Sequence, residues 1–158
     1  MIRSGECDAV IVRGANICLH PNISLKFFQL GILFNDGYCK TFDASGIGYM
    51  RSEAIAILYI QKGKDARRIY ATYVYAKTNS DGFKHEGITY PSYNMQKQLL
   101  EEFYDDCVVT LETLSYMEAH ATGTTVADPV EVDAIDQALC LKRTSPLITG
   151  SLKSNLGH

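Results

Sequence analysis

Leu114-Ser115-Tyr116-Met117-Glu118-Ala119-His120-Ala121-Thr122-Gly123-Thr124, followed by Asp128-Pro129-Val130-Glu131 and later by Leu147-Ile148-Thr149-Gly150-Ser151-Leu152-Lys153, is the stretch that decides the fold. Leu114–Ala119 is a short, mostly apolar run that reads as a buried strand ending at His120. Asp128 can cap a helix, Pro129 fits its first position and Glu131 completes a capping box, so a helix is expected to run to about Leu141. Lys142 and Arg143 then complement the negative end of that helix, Pro146 prevents its continuation, and Leu147–Thr149 gives the next strand, before the loop Lys153–His158. Strands alternating with helices in this way predict a layered α/β fold with a mostly parallel sheet. His120 and His158 each lie just past a strand, where open α/β sheets place their ligand sites.

Working outward, Ala9-Val10-Ile11-Val12 between Cys7 and Cys18 is a continuous apolar run of the kind expected for a parallel strand covered on both faces. Pro21 and Asn22 open a short helix through Leu30, and Gly31 sits where a left-handed terminator is expected. Asn35-Asp36-Gly37 is a turn. The loop Thr41–Tyr49, with Gly46 and Gly48, precedes a strand over Glu53–Ile60, and a second strand is expected over Arg68–Lys77 after a turn at Gly63. Asn79-Ser80-Asp81-Gly82 marks another turn. Pro91-Ser92 then introduces a helix to about Asp105, in which Met95, Leu99 and Phe103 recur every four residues and Leu100 widens the apolar stripe. No internal repeat or low-complexity linker interrupts the chain.

The composition is that of a globular domain: 158 residues, 46% hydrophobic and 21% charged. A net charge of −3 and a pI near 5.8 exclude a nucleic-acid surface, which needs clustered Lys and Arg. The densest basic group, Lys62, Lys64, Arg67 and Arg68, is split by Gly63 and Asp65 and reads as a solvated turn. No apolar run reaches the length of about 18 residues that a membrane span requires, and Met1–Glu6 has no signal-peptide character. The five cysteines, Cys7, Cys18, Cys39, Cys107 and Cys140, are scattered and contain no C-x-x-C pair. They read as reduced, packed thiols of a cytoplasmic protein rather than as zinc ligands.

The constellation that carries chemistry is His120, Lys153 and His158 on two separate loops. A neutral imidazole offers one N–H donor, and two such donors aimed at one oxygen can stabilise an enolate or a tetrahedral oxyanion, with Lys153 adding fixed positive charge. Small neighbours, Ala121, Gly123 and Gly157, allow close approach of a long thioester arm, and the hydroxyls of Thr122 and Thr124 can bond its amides. Taken alone, a histidine after a strand is more often a surface or core residue. His20 and His85 read as structural or exposed. Gly150-Ser151-Leu152-Lys153-Ser154 lacks the glycine spacing of a phosphate-binding loop, and the two-glycine loop before Tyr49 is too weak for a dinucleotide fingerprint. Reactive thiolates need a helix amino terminus or nearby positive charge, whereas Cys7 and Cys18 flank a strand and Cys140 lies late in a helix; Cys39 and Cys107 are loop candidates without a histidine partner nearby in sequence, so none is expected to be a nucleophile.

These residues resemble the β-ketoacyl synthase family. The resemblance is carried by Glu118-Ala119-His120-x-Thr122-Gly123-Thr124, Asp128-Pro129-x-Glu131 and Gly150-Ser151-x-Lys153-x-Asn155-x-Gly157-His158. Cys7–Val12, Asp36–Asp43, Gly46-x-Gly48-Tyr49-x-Arg51-x-Glu53 and Tyr90-Pro91-Ser92 match in the family's order, so nearly the whole chain is covered. The wording is most similar to the ketosynthase domain of animal-type, especially insect-like, multifunctional fatty acid synthases, with polyketide synthases as near relatives. The resemblance implies a partial thiolase-like fold, with residues 1–62 from the end of the amino-terminal half and 63–158 from the start of the carboxyl-terminal half. It implies an acyltransferase that performs decarboxylative Claisen condensation of malonyl and acyl thioesters. His120 and His158 would promote decarboxylation and hold the enolate, Lys153 would support the electrostatics, and Thr122 and Thr124 would contact phosphopantetheine. Asp128 and Glu131 would be structural. The implied partner is an acyl carrier domain, which brings the phosphopantetheine. The full protein would be a homodimer, and this domain would bind no cofactor or metal of its own.

Three alanines, Ala54, Ala121 and Ala127, stand where many members have glycine, and an added methyl costs most where the backbone needs positive φ. At Ala121 it is expected to be tolerated. The family's Ala-Cys-Ser-type nucleophile turn and its final glycine-rich gate are not among these residues. The 158 residues alone are therefore expected to fail at acyl loading and condensation and to expose apolar sheet. The competing expectations are a noncatalytic remnant and a fragment of a polyketide ketosynthase.

Overall fold

The computed structural model describes residues 1–158. The chain runs β1 (Ala9–Asn16), α1 (Pro21–Gln29), β2 (Ala54–Gln61), α2 (Tyr93–Asp106), β3 (Tyr116–Glu118), α3 (Ala127–Ala138), β4 (Ile148–Gly150) and α4 (Lys153–Leu156). Single 3₁₀ turns lie at Gly63–Asp65, Leu111–Thr113 and Cys140–Lys142. The crossover unit forms as expected: β3 and β4 pair in parallel from Tyr116↔Ile148 to Glu118↔Gly150, with α3 between them in sequence. One further bond, Ala119 N–H to Gly150 O at 2.9 Å, carries the ladder to the point where both loops leave the sheet.

The core sits under that crossover. Ala119, Ala121, Ile135, Ala138 and Leu139 are buried together, and Leu100 and Tyr104 of α2, with Leu111, Leu114, Met117 and Leu147, pack against them. The apolar stripe of α2 thus meets α3 across the loop that carries His120. Local signals explain the ends of α1 and α2. His20 Nδ1 accepts the Asn22 N–H at 3.2 Å ahead of Pro21, and Gly31 takes φ +70° just past α1. Ser92 Oγ accepts the Met95 N–H at 3.3 Å and starts α2.

Three expectations are corrected. First, β1 and β2 pair antiparallel, from Ala9↔Gln61 to Asn16↔Ala54, in a sheet separate from β3 and β4, so parallel pairing is confined to the strands at the site. A run that is apolar on both faces says nothing about the direction of its neighbour. Nor are those faces covered: Ile11, Ile55 and Ile57 are 72%, 67% and 66% exposed. Second, Arg68–Lys77 makes no strand. It runs extended beside α2, tied there by Lys77 Nζ to Glu102 at 2.9 Å and Asp106 at 2.7 Å and by Tyr75 against Phe103 at 5.4 Å. Its aromatic and β-branched residues suit a sheet, but no partner strand adjoins them. Third, α3 starts at Ala127 after Val126, without the Asp128 cap, and ends at Ala138 rather than Leu141. The two acidic side chains reach back to the preceding loop instead.

The accessible surface is 11286 Å², against roughly 7,900 Å² for a folded monomer of 17.5 kDa. Exposed apolar side chains run along the whole chain, among them Ile11, Ile55 and Ile57 of β1 and β2 and Leu19, Tyr70, Phe83, Ile88 and Val108 outside the strands. No helix is long and apolar enough to cross a membrane.

Candidate active site

Parallel pairing of β3 and β4 brings the two histidine loops out side by side. His120 follows β3 directly, whereas His158 returns to the same place through the turn of α4. Their rings stand 4.9 Å apart between centroids and perpendicular, at 90°. An oxygen above such a pair can take one N–H from each ring, provided both imidazoles are neutral. The surroundings favour neutrality. Partial loss of water, then the Lys153 charge, hold His120 below its ordinary value; for His158 the causes are loss of water, His120 and Lys153, in that order. Lys153, half-buried at the start of α4, makes no ion pair, so its charge acts on the rings unneutralised.

The loop of His120 is held by α3. Glu131 accepts the His120 N–H at 2.7 Å through one oxygen and the Ala121 N–H at 2.8 Å through the other. Asp128, 5% exposed, accepts N–H bonds from Gly123, Thr124 and Phe42 at 3.0 to 3.3 Å. Two carboxylates thus gather five amides of the loop and its neighbour, that of Gly123 fully buried. The loop bends at Ala121, with φ +25°, and at Gly123, with φ +88°. Gly123 needs to be glycine on both counts, since a Cβ there would lie 2.8 Å from Lys40 N.

The loop of His158 is held by the segment 49–52. His158 N–H donates to Met50 O at 2.8 Å, and Ser52 N–H donates to His158 O at 2.9 Å. Gly157 turns the chain at φ +79°, where a Cβ would press on Ser52 Cβ at 3.0 Å. Glu118 joins the two loops: it accepts the Leu152 N–H at 2.7 Å and the Tyr116 hydroxyl at 2.7 Å.

Residues 70–158 match the β-ketoacyl synthase C-terminal domain and residues 1–66 the N-terminal domain. The chain belongs to the β-ketoacyl synthase family. It is 48% identical to a fatty acid synthase of Anser anser anser over 99% of its length, and 39% identical to a hybrid polyketide–nonribosomal peptide synthetase of Aspergillus niger over 97%. The ketosynthase from module 6 of the bacillaene synthase of Bacillus subtilis superposes on 99% of the chain with a TM-score of 0.93 at 32% identity. The oxazolomycin ketosynthase domain of Streptomyces albus does so with 0.83 at 31%. The fold is therefore thiolase-like, as the motifs implied. The chain spans 45% of the goose protein, 4% of the Aspergillus one and 28% of each of these two solved ketosynthases.

Among the ketosynthase motifs, the structure brings His120, His158 and Lys153 together and lays Asp128 and Glu131 beneath them. Thr122 is only 4% exposed. Thr124 Oγ1 accepts the Ala127 N–H at 3.3 Å, just ahead of α3. None of the five cysteines adjoins the rings from a helix amino terminus. Cys39, 2% exposed, is bonded to the Met50 backbone, Cys107 ends α2 and Cys140 follows α3. Sequence reasoning missed Glu118, Thr41, whose hydroxyl donates to Ala121 O at 2.9 Å, and Tyr49, whose ring lies 5.0 Å from His158. Tyr49 had been visible only as part of a motif. No group of three or more metal-ligating side chains occurs.

Proposed function

We propose that this chain supplies the decarboxylating, enolate-stabilising half of a 3-oxoacyl-[acyl-carrier-protein] synthase site in fatty acid biosynthesis. The perpendicular pair of imidazoles, 4.9 Å apart, is the observation that carries this reading. In it, malonyl thioester on the phosphopantetheine arm of an acyl carrier domain seats its thioester oxygen against His120 and His158. The carboxylate leaves as carbon dioxide, the electron pair passes into the enolate, and the two N–H donors hold the negative oxygen. The enolate carbon then attacks an acyl thioester and expels the thiolate that carried it. That thiolate belongs to a cysteine outside these 158 residues, a reading supported by the thiols of Cys18, Cys39 and Cys107 being bonded to backbone carbonyls and by none of the five cysteines standing at an α-helix amino terminus. Lys153 keeps the imidazoles neutral, and Glu131 and Asp128 fix the amides under them. Thr122 and Thr124 flank the approach of the pantetheine arm. The identity to the goose fatty acid synthase, 48% against 39% for the Aspergillus synthetase, supports fatty acid over polyketide chemistry. A cytoplasmic, homodimeric protein fits that relationship.

The test is a chimera in which residues 1–158 replace the matching part of the goose synthase. It should condense malonyl and acyl thioesters, and H120A or H158A should each lower carbon dioxide release by about 10²-fold or more while acyl loading continues. A chimera that loads acyl groups but releases carbon dioxide equally with and without the two rings overturns the assignment.

A further inference from the structure

His158 touches two rings. His120 stands on one side, and Tyr49 on another at 5.0 Å between centroids and 75° between planes. Tyr49 follows Gly48, and its own backbone is pinned, with its N–H on Ile32 O at 3.0 Å and its carbonyl accepting the Phe34 N–H at 3.0 Å. The adjoining Met50 and Ser52 hold the His158 main chain by two further bonds. Cys39 Sγ in turn accepts the Met50 N–H at 3.2 Å. The main chain of His158 is thereby fixed, but it leaves the imidazole free to turn about its side-chain bonds. No hydrogen bond to either ring nitrogen of His158 restrains it within the chain, in contrast to His20, whose Nδ1 accepts an amide.

We infer that Tyr49 is a positioning residue, whose ring sets the plane of the His158 imidazole so that it stands perpendicular to His120. The catalytic meaning of this role rests on the condensing-site reading; the ring contact itself does not. Near-perpendicular packing is the arrangement that aromatic rings favour through their quadrupoles, so it selects an orientation as well as a distance. The contribution comes from the ring rather than the hydroxyl, which bonds to no group of the chain. The half-buried ring also removes water from one side of His158 and so adds to the loss of solvation that lowers its proton affinity. The charged and titratable groups facing His158 besides Tyr49 are His120 and Lys153.

The chain contains four histidines, so a ¹³C-histidine spectrum of the 158-residue protein resolves each ring. Y49L should move the His158 ring resonances toward those of an unstacked histidine and raise its titration midpoint toward 6.5, while His20 and His85 stay in place. Y49F should restore both properties. Collapse of all four signals to one position would mark Y49L as unfolded; Y49F is then decisive, because a His158 signal displaced in that folded variant would overturn the role of the ring. Unchanged His158 resonances in a folded Y49L overturn it as well. In the goose chimera, H158A tests the condensing reading separately: retained carbon dioxide release there, with the Y49L shift still present, would refute the chemistry and leave the positioning role standing.

Discussion

At the scale of single residues, the proposed chemistry depends on two imidazoles that lose water; at His120 that loss and the Lys153 charge together outweigh the opposing pull of Glu131 and Asp128. Both folded midpoints lie below the ordinary 6.5, so protonation favours the unfolded chain. Whatever stability the neutral rings confer is complete above about pH 6.5 and declines as pH falls through the lowered midpoints. Lys153 is a shared cause. Lys153→Met should raise both titration midpoints, read by NMR of the ring protons, and shift the acid limb of condensation upward in pH. Ala121 shows how a residue-scale conflict resolves. A left-handed φ costs a non-glycine residue roughly 1 kcal/mol, while burying its methyl in the core returns about 0.8 kcal/mol. The two effects nearly cancel, which is the physical case for an alanine at this bend.

At the scale of elements, α3 acts on the site through its first turn. Its acidic residues look from the sequence like a capping arrangement, because spacing alone cannot show that a carboxylate turns away from its own helix to amides upstream. Replacing Asp128 with Ala would leave the buried amide of Gly123 and the part-buried amides of Phe42 and Thr124 without an acceptor. The expected loss is about 2–4 kcal/mol, measured by urea unfolding, and the reverse outcome, a loss below about 0.5 kcal/mol, would show that water reaches those amides. The helices α1 and α2 were legible because Pro21, Gly31 and Ser92 act locally, and the strands before both histidines because apolar runs there are bounded by glycine. The direction of β2 against β1 was not, since pairing depends on residues 38 to 52 positions away. Arg68–Lys77 misled for the same reason: Tyr70, Tyr73 and Val74 have the character of a strand, but strand formation needs a neighbour, and Lys77 found helix α2.

At the scale of the whole molecule, the surface is the telling quantity. An excess of some thousands of Å² over the expected monomer, to which the apolar side chains of β1 and β2 contribute, is more than a folded protein leaves open without a partner for it. On one face of that hairpin, Ile11 stands opposite Tyr59, and Ile55 and Ile57 follow on the same side. Such a face promotes association. Ile57→Lys, alone or with Ile11→Lys, should shift the chain toward smaller species in sedimentation velocity without moving the His120 and His158 resonances. Unaltered sedimentation would show that another surface drives association. The candidate site itself lies on the other sheet, so its geometry and this exposed hairpin are separable properties.

The segment from Gly46 to Ser52 binds both histidine loops: Gly48 donates its N–H to Gly123 O at 3.1 Å, and Met50 and Ser52 grip His158. A single strap therefore hangs between the two halves of the donor pair. Local breathing that slackens it loosens His158 first, because His120 keeps its own tie to Glu131, so the site comes apart in order, one ring losing its aim while the other is still held.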